Sequence, residues 1–244
     1  MKFKIYWLFV FQLICTISLV PMFMYATWEN WLVTLLVYSF YGCIGATAIF
    51  HRLLTHKAYE APKWFEYFGT VCGTLGGYGS SIAWVAIHRA HHRYVDTDKD
   101  PHSPTFKGWF AVQFLIMFNQ PNVRLVPDLL RSKFHTVMHN YYWLVHAVYA
   151  GILYSIDPFA VVYAHLIPSF LIFNAGGLIN NWGHTWGWQD HTGKDTSRNN
   201  PILGYLVFGE GWHNNHHSDP KKWNFSEKWW QLDLAAQLIK VVKK

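Results

Sequence analysis

Two long runs without a single charge decide what this chain can become. Residues 5 to 28 and 30 to 50 contain no Lys, Arg, Asp or Glu and are separated by Glu29 alone. Each is long enough for the roughly 20 apolar residues that carry a helix across the bilayer hydrocarbon. Backbone amides in lipid must bond within their own segment, so these runs are predicted to be helices, and one intervening acid leaves room for nothing but a tight hairpin. The rest of the composition agrees: 14% of the 244 residues are charged and 52% hydrophobic, against about 25% charged in soluble domains. A second hairpin is predicted over residues 141 to 156 and 159 to 180, with Asp157-Pro158 as its turn. Its first arm is short and has room to begin before Tyr141.

The basic residues orient these four spans. Two Lys fall in residues 1 to 4, ten Lys and Arg in residues 51 to 140 and eight in residues 181 to 244, which exhausts the supply of 20. By the positive-inside rule, both termini and both large polar segments are cytoplasmic. The net charge of +6 therefore reports orientation and attraction to anionic lipid, and nucleic acid is excluded as a partner. No secretory signal is expected, because residues 1 to 25 lack a small-residue cleavage site and run into a second span. Residues 67 to 88 are also free of charge, but they hold Gly69, Gly73, Gly76, Gly77 and Gly79 and are read as an interfacial or re-entrant segment, as are residues 108 to 118. Cys15, Cys43 and Cys72 lack metal or disulfide spacing and read as small core residues.

The expected fold is thus an all-α integral membrane protein. Four transmembrane helices in two hairpins carry a cytoplasmic helical cap (51–140 and 181–244) that holds a histidine-rich di-metal site, all in one domain.

That site is read from three clusters: His51 and His56 in HRLLTH, His88, His91 and His92 in HRAHH, and His213, His216 and His217 in WHNNHH, with His184 as a ninth histidine. On a helix, positions i, i+3 and i+4 share a face, so each HxxHH directs three imidazoles one way. His56 lies about 140° around an ideal helix from His51 and converges with it only if the helix bends there. A closed zinc site uses four ligands and a catalytic one usually three, and a haem takes two, so nine histidines fit two ions with four or five each. Imidazole alone admits iron, copper, zinc or nickel. Iron is inferred from the two-electron oxygen chemistry that two adjacent ions would support.

HRLLTH, HRAHHRYVDTDKDPHSP and GEGWHNNHH resemble the three histidine boxes of the membrane-bound fatty acyl desaturases, over about Gly45 to Asp233. The resemblance implies a non-haem di-iron enzyme that uses O2 to insert a cis double bond into a saturated acyl chain. It implies that the eight box histidines and His184 bind metal, with Asn180, one turn before His184, holding a metal-bound water. The box spacing looks most like Δ9 enzymes. Ala86-Ile87 stands where CoA-using animal members carry Arg-Asp, which favours lipid-bound acyl substrates over acyl-CoA, and bulky Ile49-Phe50 replaces small residues before His51.

Around the boxes, Asp96, Asp100 and Glu210 are expected to accept hydrogen bonds from ligand imidazoles, while Asp98 and Asp219 are further flanking acids. Leu35, Tyr38 and Ser39 on the second span, with Trp84 and Trp212, are expected to line the acyl tunnel. His146 and His165 are read as interhelical pairs, and His102, His135, His139 and His191 as residues either at the surface or just behind the metal ligands. No cytochrome b-type domain is visible, so an external donor, a ferredoxin or small haem protein, is expected, docked on Lys107, Arg124, Arg131, Lys133, Lys221 and Lys222. Two other functions fit the same histidines: a fatty acyl or lipid hydroxylase, and a membrane metal-binding or transport protein.

Overall fold

The computed structural model describes residues 5–193 and 195–244, so Lys2, Lys4 and Lys194 of the basic tally lie outside the described residues. Two helices, α1 (Ile5–Ile17) and α2 (Leu19–Tyr25), form the first apolar arm, and α3 (Trp28–Ser39) begins the second. A capping box between Thr27 and Asn30 makes the turn, satisfying amides that would otherwise be bare at the start of α3. The helix does not stop at residue 50 as expected. It continues as a π-helix through Phe40–Thr55 and carries His51 within it.

The glycine-rich segment becomes α4 (Lys63–Gly73), a π-turn (Thr74–Tyr78) and α5 (Ser81–Tyr94). It is not one spanning helix, because Gly77 (φ 80°) and Gly79 (φ 83°) break it at left-handed angles that only glycine adopts cheaply. α4 lies along the π-helix so closely that a Cβ on Gly45 would run into the Gly73 backbone, a small-residue contact of the kind that lets membrane helices pack. Short helices follow: α6 (Pro104–Lys107), α7 (Trp109–Phe114) and α8 (Pro127–Leu130). α7 and the 3-10 turn after it expose Trp109, Phe110, Phe114 and Phe118.

α9 (Lys133–Ile156) starts eight residues earlier than the expected third span, with a kink at Tyr141. After a π-turn (Val162–Leu166), α10 (Ile167–Thr185) carries His184 in its last turn. The cap is completed by α11 (Pro201–Leu206), α12 (His213–Ser218) and α13 (Leu234–Val242).

Among the described residues three stretches are long and apolar enough to cross a membrane: Tyr6–Tyr25, Trp28–Thr55 and Val162–Thr185. α9 has the length, 24 residues, or about 36 Å at helical rise. It falls outside that group because His135, His139 and Asn140 dilute its first half. Leu13, Ile17, Val20, Leu35, Val148 and Ile152 point outward from these helices, a pattern that suits lipid as the surrounding solvent. The protein is a membrane protein built of helices. Inside, one apolar cluster joins Tyr41, Leu75, Ile172 and Phe208, and a second joins Ile49, Phe50, Ile82 and Val85 beneath the histidines.

Candidate metal centre

The π-helical winding solves the geometric difficulty at His56. Its amide donates to the His51 carbonyl five residues back (3.2 Å), and the two rings meet edge to face with centroids 4.9 Å apart. In an α-helix they would diverge; the i to i+5 repeat brings them together.

The nine histidines form two adjacent sets. His51, His56, His88, His92 and His216 make one, and His91, His184, His213 and His217 the other, with the candidate ligand atoms of each set within 4.8 Å of one another. In the first set Nε2 of His216 lies 3.1 Å from Nε2 of His51 and 3.0 Å from Nε2 of His92, which is 3.1 Å from that of His88. In the second, Nε2 of His91 and His217 are 3.4 Å apart and those of His213 and His184 3.2 Å apart. Each HxxHH motif is split between the sets. His88 and His92, like His213 and His217, are i and i+4, about 40° apart around the helix, and stay together. The i+3 residues, His91 and His216, lie on the other side of the first histidine and cross to the neighbouring set. The rings of His92 and His217 then touch across the boundary, 4.6 Å between centroids.

Three of the imidazoles are aimed by carboxylates. Nδ1 of His51 donates to Glu210 (2.6 Å), Nδ1 of His91 to Asp100 (2.9 Å) and Nδ1 of His217 to Asp195 (2.8 Å). With the proton held at Nδ1, the Nε2 lone pair is left for the centre of each set, the arrangement that carboxylates impose on metal-bound histidines. Asp96 stands further off, 3.7 Å from Nδ1 of His184, and its other oxygen accepts the Thr196 amide. Burial, followed by the neighbouring imidazoles, pushes His88, His91, His92, His213 and His216 well below the usual histidine range, which keeps them neutral, the form that binds a metal. Burial pushes the Asp100 carboxyl up to about 6, against two backbone amides that stabilise its charge. Burial also raises Glu210, but His51 and Arg52 outweigh it and hold the carboxyl below its usual range. His56 Nε2 is buried with no hydrogen-bond partner, as expected of an atom whose partner is an ion. This donor set fits two metal ions.

The family model for fatty acid desaturases matches residues 26–242. The chain belongs to the fatty acid desaturase family. It is 32% identical to the sn-1 stearoyl-lipid 9-desaturase of Synechocystis over 94% of this chain and 73% of that one. It is 34% identical to Delta-9 acyl-lipid desaturase 1 of Arabidopsis thaliana over 89% and 73%. It is 32% identical to an acyl-CoA C20 Delta5-desaturase of Anemone leveillei over 89% and 72%. The protein is accordingly an oxidoreductase of the desaturase class, and its histidine sets mark it as metal-dependent.

An apolar cavity opens from this desaturase centre into the helices. His51, His88, His213, Asn180 and Trp84 line its polar end, and Leu8, Met117, Tyr78, Phe173 and Ile172 line the remainder. Along α10 the lining runs from Asn180 to Ile172, about 12 Å of helix. Trp84 stacks on His88 with centroids 4.9 Å apart. The other expected tunnel residues do not line this cavity. Leu35 is 54% exposed on the outer face, the Tyr38 hydroxyl donates to the Leu206 carbonyl, and Ser39 bonds back to Leu35. All three sit too early on the helix, seven or more residues before Ala46 and Thr47, which do line it. Trp212 is fully buried against Gly204 with its Nε1 donating to the Leu232 carbonyl, and so packs behind α12.

Several residues around the centre carried weak sequence signals or none. Asp195 lies in an irregular loop, where helical spacing could not place it against His217. Arg52 is wholly buried between Asp233 (2.7 Å) and Glu210 (3.3 Å), with its guanidinium 3.8 Å over the Phe225 ring; a charge one residue after a box histidine was its only signal. His102, expected either at the surface or just behind the ligands, is 2% exposed and lines the cavity. His135 and His139 are buried too, on Ser81 (2.9 Å) and Ser80 (2.6 Å) at the start of α5. His146 and His165 pair with each other at 3.2 Å, and His191 meets Glu227 at the surface. Asp98 and Asp219 pair with none of the nine histidines among the described residues: the Asp98 carbonyl takes Lys107, and Asp219 caps its own loop at Lys221.

Proposed function

We propose that this desaturase introduces a cis Δ9 double bond into a saturated acyl chain carried on a membrane glycerolipid, using two irons and O2. The observation that carries the reading is the placement of two converging histidine sets at the polar end of an apolar cavity sunk among the membrane helices. The names of the Synechocystis and Arabidopsis relatives support the lipid-bound Δ9 substrate, as does the absence of a charged pair at Ala86-Ile87 before the second box. His51, His56, His88, His92 and His216 would hold one iron, and His91, His184, His213 and His217 the other, with Asn180 placed in the cavity wall to hold a water beside the second.

When bound, the irons supply oxygen activation and removal of hydrogen from two adjacent methylenes. The overall balance is –CH2–CH2– + O2 + 2 e− + 2 H+ giving –CH=CH– + 2 H2O, so two electrons come from outside. The chain's own residues do the rest. Glu210, Asp100 and Asp195 fix the tautomer and direction of their histidines. The apolar wall excludes water and chooses which of many near-identical methylenes reaches the histidines, which is where positioning sets the product.

For orientation, α9 supplies the fourth span, and the two loops opposite the cap carry no Lys or Arg, so the termini and the centre face the cytoplasm. An acidic one-electron carrier, a ferredoxin or small haem protein, is the partner suited to the basic cap residues Lys107, Arg124, Arg131, Lys133, Lys221 and Lys222.

The test is gas chromatography with mass spectrometry and double-bond localisation on cells expressing this chain or its His92→Ala variant. A new Δ9 monounsaturated chain in membrane lipid, lost in the variant, is expected. Hydroxylated chains would assign the centre to hydroxylation, product on acyl-CoA ahead of lipid in a pulse label would move the substrate, and purified protein without iron would overturn the metal assignment.

A further inference from the structure

Neither metal set includes His102, yet it is buried and lines the cavity beside both sets. It is 2% exposed, and its ring lies face-on to the metal-set histidine His91, 4.1 Å between centroids and 28° between planes. It also lies near-parallel to His88 of the other set at 6.2 Å. Its backbone is fixed: the His102 amide donates to Asp100 Oδ1 (3.0 Å), the same carboxylate that aims His91, and Asn119 Nδ2 holds the Pro101 carbonyl (2.7 Å). The ring itself is not satisfied. Nδ1 is buried with no partner, although the residue lines the cavity beside His88, His213 and Asn180.

A buried polar nitrogen left unpaired is destabilising, and phenylalanine would fill the same wall without that penalty. The ring is not placed as a tenth ligand either. His91 meets its set partners His184 and His217 steeply, at 90° and 66°, whereas His102 lies flat against its face. The close grouping of His91, Asp100 and His102 is already used, since His91 Nδ1 is bonded to Asp100. What remains is a hydrogen-bonding imidazole in the cavity wall, next to the set that has one imidazole fewer and thus the more open side.

We propose that His102 is a further functional residue of this desaturase: a hydrogen-bond donor to the small non-protein ligand taken by the His91–His184–His213–His217 set. This rests on the reading that both sets hold metal. The class of ligand is a diatomic molecule, water or a small anion, for which azide is a usable probe.

The experiment titrates azide into purified, iron-loaded wild-type protein and into His102→Phe and His102→Gln, following the new absorption band, with iron counted by mass spectrometry in each. Phenylalanine keeps the stacked ring and glutamine keeps a donor. The expected result is two irons in all three, an azide dissociation constant about tenfold weaker in His102→Phe, and recovery of most of that loss in His102→Gln. Equal azide affinity in His102→Phe would show that the ring faces elsewhere and would overturn the proposal. Loss of one iron in His102→Phe and not in His102→Gln would make His102 a ligand and overturn it as well. Wild-type protein that holds no iron would remove the metal reading itself, a failure distinct from either.

Discussion

The Arg52→Met substitution isolates the buried charge that stands behind the first histidine set. Arg52 has no exposed side-chain surface; it donates to Asp233 (2.7 Å), to the Trp223 carbonyl (2.7 Å) and to Glu210 (3.3 Å). Methionine is apolar and of similar length, so packing is largely kept while two carboxylates lose their counter-charge. Removing one partner of a buried ion pair costs about 3–5 kcal/mol. The lower end applies here, because each acid keeps other donors. Asp233 retains the Phe225 and Ala236 amides, both at 2.9 Å, and Glu210 retains His51 at 2.6 Å. A loss of about 3 kcal/mol corresponds to a fall in Tm of about 6–12 °C for a chain of this size. The assay is thermal unfolding in one detergent for wild type, Arg52→Met, Asp233→Asn and the double variant. Neutralising Asp233 removes the charge that Arg52→Met strands, so the double variant should lose less than the sum of the singles by at least about 1 kcal/mol, as expected for groups in direct contact. A single variant within about 3 °C of wild type, or strict additivity, would refute the claim that this network holds the π-helix against the cap.

Four further outcomes follow from the geometry. Asp195→Asn should weaken retention of one metal by about 10–100-fold, the usual effect of removing a carboxylate behind a histidine ligand; chelator competition read by mass spectrometry checks it, and wild-type retention would show that the 2.8 Å contact is incidental. Metal-free protein should lose stability as pH falls below about 6.5. Burial depresses His88, His91, His92, His213 and His216 in the folded state, so the unfolded chain takes up protons first, by up to about 1.4 kcal/mol per pH unit for each; a flat denaturation midpoint between pH 7.5 and 5.5 contradicts it. Gly176→Ala would drive a Cβ into the Tyr78 ring and that ring into the cavity, costing the longest chains about 0.8 kcal/mol per displaced methylene, about fourfold in kcat/KM. Ser39→Trp, outside the cavity, should leave the chain-length profile as it is, and a shortened profile would return Ser39 to the tunnel.

The sequence carried the parts of this structure that depend on local periodicity. Charge-free runs located the membrane helices, and HxxHH placed three imidazoles on one helical face. What it withheld depends on contacts between distant segments. The third arm begins at Lys133 because buried polar residues such as His135 and His139 find Ser81 and Ser80 on α5, so a stretch that looks too polar to be helical membrane structure is satisfied by its neighbour. The tunnel wall was misplaced for a different reason. Membership of the second span says nothing about which part of that helix borders the cavity, and it is Ala46 and Thr47, not Ser39, that line it. Asp195 and His102 sit in loops where no spacing rule applies.

The two histidine sets are unequal, and the inequality follows from which acids each helix can reach. The five-histidine set has one carboxylate at hydrogen-bond distance, Glu210, and that carboxylate is shared with Arg52. The four-histidine set has two, Asp100 and Asp195, neither paired with a Lys or Arg among the described residues, with Asp96 a little beyond. The set with fewer imidazoles therefore has more negative charge behind it and fewer positions closed in front of it. Its side of the cavity also carries Asn180 and His102, the two lining residues other than the set histidines and Glu210 whose side chains can donate a hydrogen bond from an amide or imidazole nitrogen next to that set. Negative charge behind an ion favours its more oxidised state, and an open side with donors favours a small ligand there. In the proposed two-metal reading, both arguments favour a small ligand on the side of His91, His184, His213 and His217; in the other set His56 and His92 are only half-buried.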